Sequence, residues 1–217
     1  DVIVFGATGF TGRLVAAYLA GAQPRVRLAI AGRRRAPLDE LAAALPAPAP
    51  AVIVADADDE AALAALAART RVVASTAGPF ARLGSPLVAA CVAAGTHYAD
   101  LTGEVTWVRA MIDAHHAAAQ ASGARIVHCC GFDSIPSDLG AQLVIDTARE
   151  RSGRAPALVE ARFGELRGGV SGGTVASMLG LMEAAVADPA LRRLLGNPYA
   201  LTPGWRGPDR DPHRPGW

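Results

Sequence analysis

Apolar positions along the chain fall into two alternating rhythms: short unbroken runs rich in β-branched residues, and longer stretches with helical spacing. That alternation predicts βαβ units winding a parallel sheet. Residues 2–5 (VIVF) form a continuous apolar run, as a strand buried on both faces should. Further strands are expected at 26–31, 52–55, 71–75, 97–100 and 125–128. A first helix is expected over 10–19, with Leu14, Val15, Tyr18 and Leu19 on its apolar face and Gly21 as its stop. Others follow at 37–45, at 59–69 with Asp58 or Asp59 as N-cap, at 87–94 ended by Gly95, and at 104–121 stopped by Gly123. Another runs to about residue 148.

The first strand feeds directly into Gly6-Ala7-Thr8-Gly9-Phe10-Thr11-Gly12, where three glycines have the spacing of a phosphate-binding turn. Gly6 allows a tight turn, Gly9 lets amides approach a pyrophosphate, and Gly12 permits close packing of a helix whose N-terminus attracts the anion. Thr8, Phe10 and Thr11 complete this candidate cofactor loop; a merely structural glycine turn is the plainer alternative. The expected fold is a Rossmann-type α/β domain with a doubly wound parallel sheet. In place of the acidic residue that would hold a ribose 2′-hydroxyl, the second strand runs into Gly32, Arg33, Arg34 and Arg35. A guanidinium cluster suits a 2′-phosphate, so Arg33 and Arg34 point to NADP(H); a solvated basic turn is the competing reading.

Ligands of such sheets lie beyond the carboxyl ends of the strands, so residues there become candidates. Asp56 is placed to meet an adenine amino group or simply to shape a loop. Ala77, Gly78 and Pro79 form a small-residue turn suited to lie against the nicotinamide ribose, or a structural turn. Tyr98, Asp100, Thr102, Gly103 and Glu104 bring polar groups toward the nicotinamide end, although Glu104 also suits a helix N-terminus. After the sixth strand, Asp133 and Ser134 are the better candidates to face substrate, while Ser137 or Asp138 has a helix-capping alternative.

Composition narrows the chemistry. The chain has 217 residues and a formal charge of +1, which gives no reason to expect nucleic acid. All 21 basic residues are Arg. The absence of Lys excludes a Walker lysine, a Schiff-base lysine and a Tyr-xxx-Lys pair within the chain, and Tyr98 is followed four positions on by Thr102. Cys91, Cys129 and Cys130 offer neither a disulfide framework nor zinc spacing, and adjacent His115 and His116 diverge, so no metal is expected. No apolar run reaches the roughly 18 residues of a membrane span, and no signal peptide is expected. A cytoplasmic location is expected, with peripheral membrane or lipid association left open. The first strand begins at residue 1, and residues 203–217, rich in Pro, Gly, Arg and Asp, read as a disordered tail; a fragment or interrupted copy of a longer protein is expected.

GATGFTG (6–12), AGR (31–33), STAGPF (75–80), GTHYADLTGE (95–104), HCCGFDSIPSDLG (128–140) and SGGTVASM (171–178) together resemble the saccharopine dehydrogenase-like oxidoreductases. The resemblance is to the branch of trans-acting enoyl reductases, which act on lipid or polyketide chains. It implies an NADP-binding domain over 1–150, then over 151–202 the start of a second, α+β domain that covers a substrate site and can mediate homodimerisation, with 159–166 as its first strand and 173–187 as a helix crossing back toward the cofactor. It further implies a small-molecule or carrier-bound acyl substrate, and hydride transfer to the β-carbon of an enoyl thioester. Tyr98 is then the proton donor or carbonyl hydrogen-bond donor, with Asp133 and Ser134 as orienting groups. Two alternatives remain at this point: an imine or amino-acid oxidoreductase, and a non-catalytic NADPH-binding interaction protein.

Overall fold

The computed structural model describes residues 1–23, 25–46, 48–165, 168–169 and 172–202. The tail expected at 203–217 lies outside them.

Six parallel strands form one sheet in the order β3-β2-β1-β4-β5-β6. β1 (Val2–Phe5) lies between β2 (Leu28–Gly32) and β4 (Val72–Ser75), with β3 (Ala51–Val54) at one edge and β5 (His97–Asp100) and β6 (Ile126–Val127) toward the other. Strand pleating turns successive residues of β1 to opposite faces. Val4 and Ile30 pack with Ala16, Leu38 and Leu41 of α1 (Phe10–Ala22) and α2 (Arg35–Ala44). Ile3, Phe5, Val73 and Tyr98 pack into the larger core with Leu63, Leu66, Leu87, Val88 and Val108. These come from α3 (Glu60–Ala67), α5 (Ser85–Ala94) and α6 (Val105–Ser122), and each fully buried Leu contributes roughly 2 kcal/mol of transfer free energy. A short helix, α4 (Phe80–Leu83), precedes α5.

Several boundaries shift for identifiable reasons. α2, α5 and α7 (Ile135–Ser152) each begin two residues before the expected helix or cap, and Pro37, Pro86 and Pro136 fall inside their first turns. Proline is tolerated there because the first-turn N–H groups have no intrahelical acceptor in any case. Consequently Ser137 and Asp138 lie inside α7, and Ser134 occupies its N-cap position without a side-chain capping bond. Between the two acidic choices at α3, Asp59 is the cap, accepting from the Ala62 amide at 3.0 Å.

α7, α8 (Gly172–Ala187) and α9 (Pro189–Leu195) follow the sheet and bury no residue of their own. The boundary expected at 150 falls within the last turn of α7. The strand expected at 159–166 is corrected: residues 159–165 are irregular, and Leu166 lies outside the described residues. An alternating run forms a strand only against a partner, and no strand pairs with these residues in the sheet. α8 does cross back to the sheet, where Ser177 Oγ donates to Glu104 Oε1 at 2.8 Å.

Candidate cofactor and substrate site

The cleft forms at the carboxyl ends of β1 and β4, where the strand order reverses. Gly6 adopts φ +78°, a left-handed value that permits the turn, and its amide and that of Ala7 donate to Ala31 O at 2.9 and 3.1 Å. Thr76 Oγ1 donates to the carbonyls of Phe5 and Gly6 at 3.1 and 3.2 Å, which locks the loop after β4 onto the glycine turn. At Gly12 a Cβ would lie 2.3 Å from Gly6 O and 2.8 Å from Ala7 Cα, so only glycine lets α1 approach this closely. Gly9 sits at the N-cap, supplies no side-chain acceptor, and no acidic residue occupies the first turn of α1. The unpaired amides at this helix start therefore suit an external anion.

At the end of β2, Gly32 is buried and Arg33 and Arg34 are exposed. Arg35 is held by Asp39 at 2.9 Å, whereas among the described residues Arg33 and Arg34 make no ion pair. The basic cluster thus divides into one structural guanidinium and two that can reach a phosphate. Asp56 is exposed, and its Oδ1 accepts from the Asp58 amide at 3.3 Å, which gives it a loop-shaping contact. Ala77 presses on the glycine turn: a Cβ at Gly6 would be 2.9 Å from Ala77 Cβ. Gly78 and Pro79, joined by a cis peptide, are half-buried and lead into Phe80 of α4.

The loops after β4 and β5 are organised by two buried carboxylates. Glu104 accepts from the amides of Phe80 and Ala81 at 2.8 and 2.9 Å as well as from Ser177, so it anchors the start of α4 rather than capping α6. Asp100, whose side chain is 0% exposed, binds His128 Nδ1 at 2.7 Å through Oδ2 and the amides of Thr102 and Cys129 at 3.1 Å through Oδ1. His128 also meets the rings of Trp107 and Tyr98 edge-on, at centroid distances of 5.1 and 5.9 Å. A cavity of about 180 Å³ between α6 and β6 is lined by His128 with Met111, Ile112, His115 and Ala119.

Tyr98 is placed in the core at 1% exposure, facing the protein interior, and its hydroxyl makes no hydrogen bond. Ser75 and Asp100 are polar neighbours of that hydroxyl, and burial followed by the Asp100 charge pushes the phenol well above its ordinary range. Asp133, by contrast, is exposed. A Cβ at Gly131 would come within 2.7 Å of its Oδ1 and one at Gly103 within 3.3 Å of its Oδ2, so its carboxylate bridges the loops after β5 and β6. Ser134 is half-buried beside it. Burial, then the nearby carboxylates, raises the Cys129 thiol to about 11, and burial raises Cys91 to about 12.

The structure therefore gathers the glycine turn, Arg33, Arg34 and residues 76–79 along one edge, with Asp133 and Ser134 beyond β6 and Tyr98 beneath the surface. Sequence reasoning missed His128 and the task performed by Glu104. For Asp100 a signal was present: it shares a strand face with buried Tyr98, so a carboxylate was bound to be buried and to need partners. Its histidine partner is 28 residues away, beyond any local pattern.

Residues 2–127 match the family of the saccharopine dehydrogenase NADP binding domain. The chain is 45% identical over 207 residues to trans-acting enoyl reductases of Mycobacterium leprae and Mycobacterium tuberculosis, covering 93% of this chain and 49% of each relative. It thus spans about half the length of these curated relatives. Apo saccharopine dehydrogenase (L-Glu forming) from Saccharomyces cerevisiae shares the fold, with a TM-score of 0.53 at 22% identity over 70% of this chain and 32% of that one. NADP(H) is the cofactor of the matched domain, and the open α1 amides with the two unpaired arginines fit its pyrophosphate and 2′-phosphate. The chain belongs to the saccharopine dehydrogenase NADP-binding domain family.

Proposed function

We propose that this chain is the cofactor-binding part of an NADPH-dependent oxidoreductase that reduces the enoyl double bond of a lipid or polyketide acyl chain. The observation that carries the cofactor half is the pairing of an uncapped α1 N-terminus with Arg33 and Arg34, free of internal ion pairs. The substrate half is supported by the trans-acting enoyl reductases to which the chain is similar.

NADPH, when bound, supplies the hydride that goes to the substrate β-carbon. In this reading Gly6, Thr8, Gly9, Phe10, Thr11 and Gly12 cradle the pyrophosphate, and Ala77, Gly78 and Pro79 lie along the nicotinamide ribose. Asp56 has the adenine side. Asp133 and Ser134 orient the acyl carbonyl while a proton is delivered to the α-carbon. The Tyr98 hydroxyl, at 1% exposure and without a hydrogen bond, does not reach the acyl chain, so the proton for the α-carbon comes from solvent.

Exposed Leu139, Leu143, Met178 and Met182 on α7 and α8 would suit an apolar acyl chain, free or carrier-bound. Residues 151–202 are the segment through which a homodimer would form. Among the described residues no helix is long and apolar enough to cross a membrane.

The test is oxidation of NADPH, followed at the nicotinamide absorbance, with a long-chain α,β-unsaturated acyl thioester, using this chain and a full-length relative in parallel. With NADPH deuterated at C4 of the nicotinamide, oxidation coupled to deuterium transfer onto the β-carbon is the expected result. Oxidation only with an amino acid and a keto acid would support imine chemistry instead. Tight binding without turnover by either protein would indicate an interaction protein.

A further inference from the structure

The loop after β6 is shaped by a single buried side chain. Cys129 adopts φ +61°, a left-handed value uncommon for a residue with a Cβ, and its amide donates to Asp100 Oδ1 at 3.1 Å. The next amide, of Cys130, donates to the Asp100 carbonyl at 2.6 Å. His128, immediately before them, gives Nδ1 to Asp100 Oδ2 at 2.7 Å and has a side chain only 8% exposed. Three consecutive residues therefore converge on Asp100, and Asp133 follows four residues after Cys129. An ionised carboxylate can only accept, so Nδ1 carries a proton in this pair, and in the neutral imidazole Nε2 is left as the acceptor.

We propose that Asp100 is a positioning residue: it fixes His128 as the Nδ1–H tautomer and holds the 128–134 loop so that Asp133 faces the nicotinamide end of the cleft. The tautomer is a property of the fold alone, whereas the effect on the nicotinamide rests on the proposed NADPH site. The groups around the imidazole are Asp100 and Tyr98 from β5, Trp107 and His115 from α6, and Cys129 within the loop.

Asp100→Asn keeps an oxygen for the amides but turns an NH2 toward Nδ1, so the imidazole must adopt the Nε2–H form. His128→Asn retains a donor at the Nδ1 position, whereas His128→Gln offers one only near the Nε2 position. In the double variant Asp100→Asn/His128→Asn, the residue 128 amide can rotate and offer its oxygen.

The experiment is a long-range 1H–15N spectrum of the 15N-histidine-labelled chain, together with NADPH titrations read both by affinity and by nicotinamide emission at saturation. Expected are an Nδ1–H tautomer in the wild type, Nε2–H in Asp100→Asn, and loss of the nicotinamide emission gain in Asp100→Asn and His128→Gln with affinity retained. His128→Asn and the double variant should recover that gain. An Nε2–H tautomer in the wild type overturns the pair, as does a loss of emission equally deep in His128→Asn and His128→Gln. A tautomer switch with unchanged emission overturns the positioning role. Failure of the wild type to bind NADPH overturns both that role and the NADPH site, while the spectrum still decides the tautomer. If Asp100→Asn does not fold, the contrast between His128→Asn and His128→Gln decides the positioning claim.

Discussion

Residues 1–127 and 128–202 are built on opposite balances of burial. In the first region both sheet faces are covered by helices, and Val4, Ile30, Leu38, Leu63, Val73 and Val88 are all at 0% exposure. In the second, α7, α8 and α9 bury nothing, and Phe132, Leu143 and Val186 are 71, 68 and 79% exposed; Ala200 alone is buried there among the described residues. The first region carries nearly all of the buried core, with Cys129 and Leu201 of the second packed against it, while the second presents apolar helix faces. In the proposed function this difference assigns nucleotide recognition to the backbone of the first region and substrate recognition to side chains of the second.

The largest consequences lie in the packed region. Leu38→Ala and Leu63→Ala should each cost about 2–5 kcal/mol in urea unfolding, through lost burial and residual cavities. Gly12→Ala should cost about 3 kcal/mol and also abolish NADPH binding, because its Cβ meets the backbone of the glycine turn. A stability loss under about 1 kcal/mol for these three would mean that the packed region is looser than described.

Next in size is the cofactor effect. Arg33→Ala or Arg34→Ala should weaken NADPH by about tenfold and leave NADH unchanged, as loss of a charge-assisted contact to one phosphate predicts. Isothermal titration with both nucleotides checks this; equal losses for NADPH and NADH would remove these arginines from the 2′-phosphate.

A smaller effect appears with pH. Folded Cys91 is raised from 9.0 to about 12, so between those values the unfolded chain loses its proton while the folded chain keeps it. The unfolded state then binds fewer protons, and stability present below pH 9 falls as pH rises toward 12. Cys129, raised to about 11, acts in the same direction. Cys91→Ala should flatten the slope of unfolding free energy over this window, and an unchanged slope would assign it to other groups.

The smallest change belongs to the exposed faces. Leu143→Ala and Val186→Ala should move stability by no more than about 0.5 kcal/mol, and a loss of 2 kcal/mol or more in either would show that a partner covers these helices.

This contrast also governs what could be read in the sequence. β5 has the residue bounds expected of it, because a buried strand's run of residues carries its own boundary. α8, expected over 173–187 from the family resemblance, begins one residue early and ends where expected. α4 went unread: four residues are too few for periodicity, and its start is held by Glu104, 24 residues away in sequence. The glycine turn and the arginines were legible as a contiguous motif, but their division of labour was not, since Asp39 claims Arg35 only across a helical turn. Tyr98 was expected beyond the carboxyl end of β5, whereas it is the second residue of that strand, and the pleat turns it inward in register with Val73 of β4 and Ile126 of β6. Asp133 and Ser134 were picked out by polarity alone, and the approach of Asp133 to Gly103 joins loops 30 residues apart.

The central claim is a 2′-phosphate-selecting nucleotide site on the first region, and parallel titration of NADPH and NADH into the folded chain, read by nicotinamide fluorescence, tests it most directly. Preferential NADPH binding that is weakened by Arg33→Ala or Arg34→Ala is the predicted result. Equal affinity for the two nucleotides, or binding of neither by a folded sample, would contradict it.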